Sequence, residues 1–282
     1  MSSVSSQPEP DVRADLAGPA GPAGPGGPGG PGGESGSGKP GRHRASLPGL
    51  HLFTQAVLDY AAHQPGRAVA VVQAGCATAG GDLDVEALRA SSYTVSLSLV
   101  DDDNEITRAA VAARPDLTGA VLGDLRRVPL PPRSADIVHC SLLLDRISHA
   151  ELVLGRLVDT LRPGGLLLLH TADRDTAAGF LDRALPGPLR AMAWRSLRPG
   201  EPGPYPARHE RLASARGIQA FVTRHGLVIT RRELSSRARR GQPVVAATRW
   251  LVAACSRGRR TAAHDELRYI IRRPQDQFAR VL

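Results

Sequence analysis

Residues able to do chemistry gather at the ends of short apolar runs. Ala68 to Val72 leads into Gln73-Ala-Gly-Cys-Ala-Thr-Ala-Gly-Gly81, a small-residue stretch where backbone amides and the start of a following helix can approach a ligand closely. Tyr93 to Val100 leads into Asp101, Asp102 and Asp103, and Asp101 stands 26 residues after Gly75. An acid at the tip of a second strand, beside a small-residue turn at the tip of the first, can accept both hydroxyls of a ribose. Asp124 and Asp136 flank two further short runs, and as loop or capping acids they would be structural. His139 and His170 lie near strand ends, where a neutral imidazole can take a proton from a hydroxyl or an amine. The bland alternative for each histidine is a hydrogen-bonded core residue.

Positioning these groups requires strands that alternate with helices. Leu52, Phe53, Ala56, Val57, Tyr60 and Ala61 repeat at helical spacing, and Pro65-Gly66 ends that helix. A strand at 68–72, a helix at 84–90, a strand at 93–100 and a helix at 104–113 follow. Short strands are expected at 120–122 and 135–140. A helix is expected at 151–161, broken by Arg162-Pro-Gly-Gly165, and a buried strand at 166–170. Such alternation gives a mostly parallel sheet covered on both faces. Prolines 186, 188, 199, 202, 204 and 206 interrupt any regular element in 173–210, which reads as either a cap over a pocket or an irregular surface excursion. A helix at 209–224 ends at Gly226. The runs 227–234 and 244–255 read as two antiparallel strands around a basic loop, and 262–272 reads as a helix.

Composition sets the outer limits. The chain has 282 residues, and Gly18 to Gly36 carries glycine at every third position. Seven such triplets, without sustained prolines in the third place, are too few to hold a triple helix, so residues 1–47 read as a disordered arm. The domain is expected over 48–256, with 257–282 as a basic tail. Residues 231–282 hold 13 arginines against four acids, which accounts for the whole net charge of +9. That end could meet phosphate groups or an anionic membrane surface, or be plain solvated surface, since one lysine in the whole chain says that arginine carries positive charge everywhere. Cys76, Cys140 and Cys255 lack CxxC or His partners at ligand spacing and read as apolar residues in a reducing compartment, with no metal. The first dozen residues lack a basic start and an apolar stretch, and no run approaches a bilayer's width. A cytoplasmic protein without a membrane span is expected.

Four motifs in order carry a family resemblance over about 68–170. After the turn at Gly75 and the acid Asp101 comes Gly123-Asp-Leu-Arg-Arg-Val-Pro-Leu-Pro131, similar to a "GDaxxLP" stretch. Ser134-Ala-Asp-Ile-Val-His-Cys-Ser-Leu-Leu-Leu144 is similar to "sFDxVxsxxxL", and Leu161-Arg-Pro-Gly-Gly-Leu-Leu-Leu168 to "LkPGGxLxx". Together these resemble the class I S-adenosylmethionine-dependent methyltransferases that act on small molecules. The resemblance implies a Rossmann-like, doubly wound α/β fold with seven strands, mostly parallel, the last antiparallel. It also implies S-adenosylmethionine as cofactor and a small-molecule methyl acceptor as partner.

By the same resemblance, Gln73, Gly75, Ala77 and Ala79 would lie against the cofactor's methionine part. Asp101 would hold the ribose, with Asp102 beside it in the cofactor site, Asp124 the adenine amino group, and the Leu125 backbone the ring edge. Cys140 and Ser141 would face the cofactor near the acceptor's entrance; independently of the resemblance, His170 is the candidate base by its place and residue type. Gln73 stands where the family has an acid, Ala77 and Ala79 stand where it has glycines, and Asp145-Arg146 fills a place often held by a histidine pair. These departures motivate a second reading, a non-catalytic binding or regulatory module of the same shape. The arginine-rich end motivates a third, an RNA methyltransferase. A dinucleotide oxidoreductase fits less well, because the first turn has no GxGxxG.

Overall fold

A computed structural model of the chain describes residues 51–76, 82–197, 210–236, 243–257 and 259–275. The arm, Ala77, Ala79 and the basic loop at 237–242 lie outside the described residues. Helix α1 (Leu52–Ala62) precedes β1 (Val69–Ala74), and the chain then alternates through α2 (Val85–Ala90), β2 (Val95–Asp101), α3 (Glu105–Ala112) and β3 (Leu117–Leu122). Next come β4 (Ala135–Ser141), α4 (Ala150–Thr160) and β5 (Leu161–Ala172). The remaining elements are α5 (Ala177–Ala184), α6 (Gly187–Leu197), α7 (Ala215–Arg224), β6 (Val228–Ser235), α8 (Pro243–Cys255) and β7 (Glu266–Arg272).

The seven strands form one sheet in the order β3-β2-β1-β4-β5-β7-β6. The first five are parallel, and β7 runs antiparallel to both β5 and β6. This is the doubly wound α/β fold expected, with the antiparallel strand last in the chain. Order reverses beside β1, so the crevice for a ligand lies between the tips of β1 and β4, next to β2.

Side-chain alternation splits the core between the two faces. Val69, Val71, Leu97, Ile137, Leu168 and Ile270 pack with Phe53, Val57 and Ala61 of α1 on one face. Val100, Val138, Leu167, Leu169, Tyr269 and Ile271 pack with Val153, Leu154, Leu157 of α4 and Ile218, Phe221 of α7 on the other. Leu167, Leu168 and Leu169 are fully buried, and each contributes about 1.5–3 kcal/mol through burial. Polar caps set the helix starts. Asp84 accepts from Ala87 N at 3.0 Å, Asn104 and Thr107 form a reciprocal capping box, and Ser214 accepts from Gly217 N at 3.0 Å.

Four expectations need correcting. Residues 262–272 are not a helix, because Glu266–Arg272 is β7. It bonds to strands on both sides, and Glu266-Leu-Arg-Tyr alternates as a strand does only until Ile270-Ile271, too short a run to outweigh the helical reading. Residues 244–255 are not a strand but α8. Proline suits its first position, and its alanines favour helix over the β-branched signal of Val244 and Val245. Residues 173–210 are not irregular throughout, since α5 and α6 occupy much of 177–197, with Pro188 in the first turn of α6 where a missing N–H costs nothing. Finally, the sheet needs β7, so the domain runs past 256 and the expected basic tail is partly a sheet strand.

Pro163-Gly-Gly lies inside β5 rather than before it. Pairing moves from Ala135 with Leu161 to Ile137 with Leu166, so residues 162–165 bulge out. A Cβ on Gly165 would stand 2.7 Å from Asp136 O. Asp136 itself is buried beneath this bulge, where it accepts from Arg67 Nη2 at 2.6 Å, Arg162 Nη1 at 2.8 Å and Ala70 N at 2.9 Å. Both features belong to the amino-terminal end of the parallel strands, opposite the crevice.

Candidate functional site

The tips of β1, β2, β4 and β5 bring most of the candidate residues to one end of the sheet. Gly75 leaves β1 with φ +71, a conformation L side chains rarely adopt, and its N–H donates to Val100 O at 3.1 Å. The space a Cβ would need is filled, with Leu143 Cβ at 2.8 Å and Arg146 Nη2 at 2.9 Å. At the tip of β2, Asp101 is 1% exposed, and its Oδ1 accepts from Asp102 N at 2.8 Å. Arg146 reaches from the turn after β4 to bridge the two tips, donating to Gly75 O at 2.8 Å and to Asp101 Oδ1 at 3.2 Å. Its side chain is only 8% exposed.

Neighbouring acids behave according to their exposure. Asp102 is half-buried, and burial followed by the charge of Asp101 pushes its carboxyl upward. Asp124 lies on the loop after β3, where hydrogen bonds from Arg126 draw its carboxyl down to about 2. The Leu125 side chain is buried in the core and its carbonyl accepts from Arg156 Nη1 at 2.8 Å. Gln73 is buried and turned elsewhere, its Oε1 accepting from Arg114 Nη2 at 2.8 Å. That contact ties β1 to the approach to β3.

Beside the crevice lies a buried polar network that also joins the ends of β4, β5 and β7. The Asp82 carboxylate accepts from Ser141 Oγ and from His170 Nδ1. His170 Nε2 donates to Glu266 Oε2 at 3.0 Å, and Arg268 Nη2 approaches Asp82 Oδ1 at 3.4 Å. Burial opposes charging the His170 ring, but its bonds to Asp82 and Glu266 outweigh that, so it titrates above its ordinary value. Burial opposes the Asp82 charge too, yet His170 and Ser141 hold its carboxyl far below the usual range. The His170 ring is therefore held between two carboxylates, 2% exposed, with both nitrogens engaged.

Two more groups are buried nearby. His139 packs edge-on against Phe53 at 5.4 Å, and burial lowers it to about 4, so it is neutral. Burial pushes the Cys140 thiol up to about 12, which makes it an inert core residue. Among the described residues, no group of His, Cys, Asp and Glu is arranged to hold a metal, and no helix is long and apolar enough to cross a membrane.

Sequence reasoning placed Gly75, Asp101, Asp102, Ser141 and His170 at one end of the sheet, as found, while Ala77 and Ala79 lie outside the described residues. It missed Asp82, Glu266 and Arg268. Glu266 and Arg268 could not be placed while 262–272 read as a helix. Asp82 carried only the weak signal of an acid directly after the small-residue turn.

By residue type the crevice fits an adenosyl group. Gly75 supplies a bare backbone at the β1 tip, and Asp101 an acid of the right reach for ribose hydroxyls. In the structure that acid is paired with Arg146, so a ligand there takes the place of a guanidinium.

Comparison with known proteins adds three findings. Residues 72–169 match a family model described as "Methyltransferase domain". A malonyl-[acyl-carrier protein] O-methyltransferase of Chlorobium luteolum is 29% identical over 108 residues, which is 37% of this chain and 41% of that protein. One from a Methylovorus species is 30% identical over 112 residues, 38% of each chain. The chain thus spans about two fifths of the length of these relatives. A solved S-adenosylmethionine-dependent methyltransferase from Mesorhizobium loti is 19% identical, covers 73% of this chain and 91% of its own, and has a TM-score of 0.47.

Proposed function

We propose that this chain, whose residues 72–169 belong to the methyltransferase-domain family, binds S-adenosylmethionine at the β1–β2 tips and directs its methyl group to a small acceptor. The observation that carries the reading is the buried carboxylate of Asp101 beside the left-handed backbone of Gly75. The cofactor supplies a sulfonium methyl that is already activated, which leaves the protein to bind and aim. Asp101 accepts the ribose hydroxyls, Asp102 and Asp124 border the adenine, and Arg146 withdraws from the acid it covers. Ser141, held by Asp82 and His170, forms the floor beside the reacting end. His170 acts here as a positioning residue, since both of its ring nitrogens are already engaged by Asp82 and Glu266 and neither is turned to a substrate.

A thermal shift on the full chain tests this. S-adenosylmethionine is expected to raise the melting temperature of the natural protein and of Gln73→Glu, and to leave Asp101→Asn unchanged. A shift retained in Asp101→Asn places the ligand elsewhere and defeats the reading.

The Arg146–Asp101 pair also favours a second reading, a non-catalytic module that keeps the shape. The triple change Gln73→Asp, Ala77→Gly and Ala79→Gly discriminates the two. Affinity appearing only in the triple variant would assign the natural chain to the second reading.

A further inference from the structure

A cavity of about 890 Å³ lies just past the end of β5, and nothing in the proposed cofactor site uses it. Asp173, Asp175 and Phe180 line one side, Ala215 and Arg216 at the start of α7 another, and Val252 and Cys255 of α8 with Ser256, Arg257, Arg259, Arg260 and Thr261 the rest. Its volume is that of a small-molecule site. Its charge is unusual: Arg216, Arg257, Arg259 and Arg260 face two carboxylates, leaving the lining at +2.

Those two carboxylates are already engaged. Asp173 Oδ2 bonds His264 Nε2 at 3.1 Å, and Asp175 lies 3.7 Å from Arg174. Among the described residues, none of the four arginines forms an ion pair with an acid. Arg257 has φ +52, which an arginine rarely adopts, and Ser256 Oγ accepts from Arg260 N at 3.1 Å across the same turn. Arg260 is fixed further by stacking over Phe180 at 4.2 Å. Nearby, burial and then the charges of Arg174 and Arg260 draw the Arg183 guanidinium downward against the opposing charge of Asp175. Phe180, Val252 and Ala215 give the same cavity an apolar part.

We propose that this cavity binds the phosphate group of a small phosphomonoester, which on the methyl-transfer reading is the acceptor or part of it. A phosphate dianion matches the net charge of the lining, and guanidinium forks suit its oxygens. The apolar wall then takes the organic remainder. Asp173 and Asp175 of the lining directly follow β5, at the end of the sheet that also carries Ser141 and His170.

Calorimetry on the full chain with glycerol 3-phosphate, inorganic phosphate and succinate tests the proposal. Saturable millimolar or tighter binding of glycerol 3-phosphate is expected, about tenfold weaker in Arg216→Gln and in the Arg257→Gln, Arg259→Gln pair. These side chains are exposed, and circular dichroism verifies that the variants fold. Absence of binding, affinity unchanged in the variants, or tighter binding of succinate each overturns it. A single-stranded RNA that binds far more tightly, with steep salt dependence, would assign the arginines to a polymer instead and also overturn it. S-adenosylhomocysteine is titrated into the same samples. Loss of its binding with phosphomonoester binding intact defeats only the methyl-transfer reading, and the converse defeats only this proposal.

Discussion

Arg146 covers the carboxylate of Asp101 from 3.2 Å, with both side chains nearly excluded from water. On the proposed reading, this guanidinium stands where the ribose of the cofactor would bind. Separating the pair leaves a buried carboxylate, and ligand hydroxyls that take over the acid offset that cost. Affinity for a ligand is thus a contest between two partners of one acid.

Gly75 is predicted to tolerate no side chain. Gly75→Ala forces a left-handed backbone on alanine and sets its methyl 2.8 Å from Leu143 Cβ, for a combined loss of about 3 kcal/mol in denaturant unfolding. Gly66→Ala is the control. Its φ is +75 but nothing lies within 4 Å, so the loss is limited to about 1 kcal/mol.

Stability is predicted to peak near pH 6.5. His139 has a folded value of about 4 against 6.5, so the unfolded chain binds more protons between those values and stability rises with pH, by on the order of 3 kcal/mol. His170 is raised above 6.5, so its contribution is complete below that value and is lost as pH climbs through the folded value. Urea midpoints measured across pH should lose the acid limb in His139→Gln and the alkaline limb in His170→Gln. Limbs unchanged in these variants would contradict the assignment.

Asp136→Ala is predicted to destabilise by about 3 kcal/mol without changing ligand affinity in the folded protein. The carboxylate joins Arg67, Arg162 and Ala70 N, three groups from α1's exit, β5 and β1, at the end of the sheet remote from the crevice. Urea unfolding and calorimetry on the same variant separate the two effects. A weakened affinity would move Asp136 into the site.

Where the fold was legible, a periodic signal lay on one or two elements. Phe53, Val57 and Ala61 at helical spacing marked α1, and the acids after Val100 marked the end of β2. Where the signal depended on neighbours, it was not. β7 is held by pairing with both β5 and β6, partners that no local pattern in Glu266–Arg272 names, and its brief polar–apolar alternation ends at Ile270-Ile271. The same holds in the site. Gly75 and Asp101 belong to a local pattern, whereas Arg146 gains its place only when β4 packs beside β1, and Asp82, His170 and Glu266 meet across 88 and 96 residues.

The most direct measurement is calorimetric titration of S-adenosylhomocysteine into the natural chain and into Arg146→Ala. Saturable binding to both is predicted, about tenfold tighter in the variant because the ligand no longer displaces a guanidinium. Two folded proteins that give no heat at millimolar ligand would show that Gly75 and Asp101 do not form an adenosyl site.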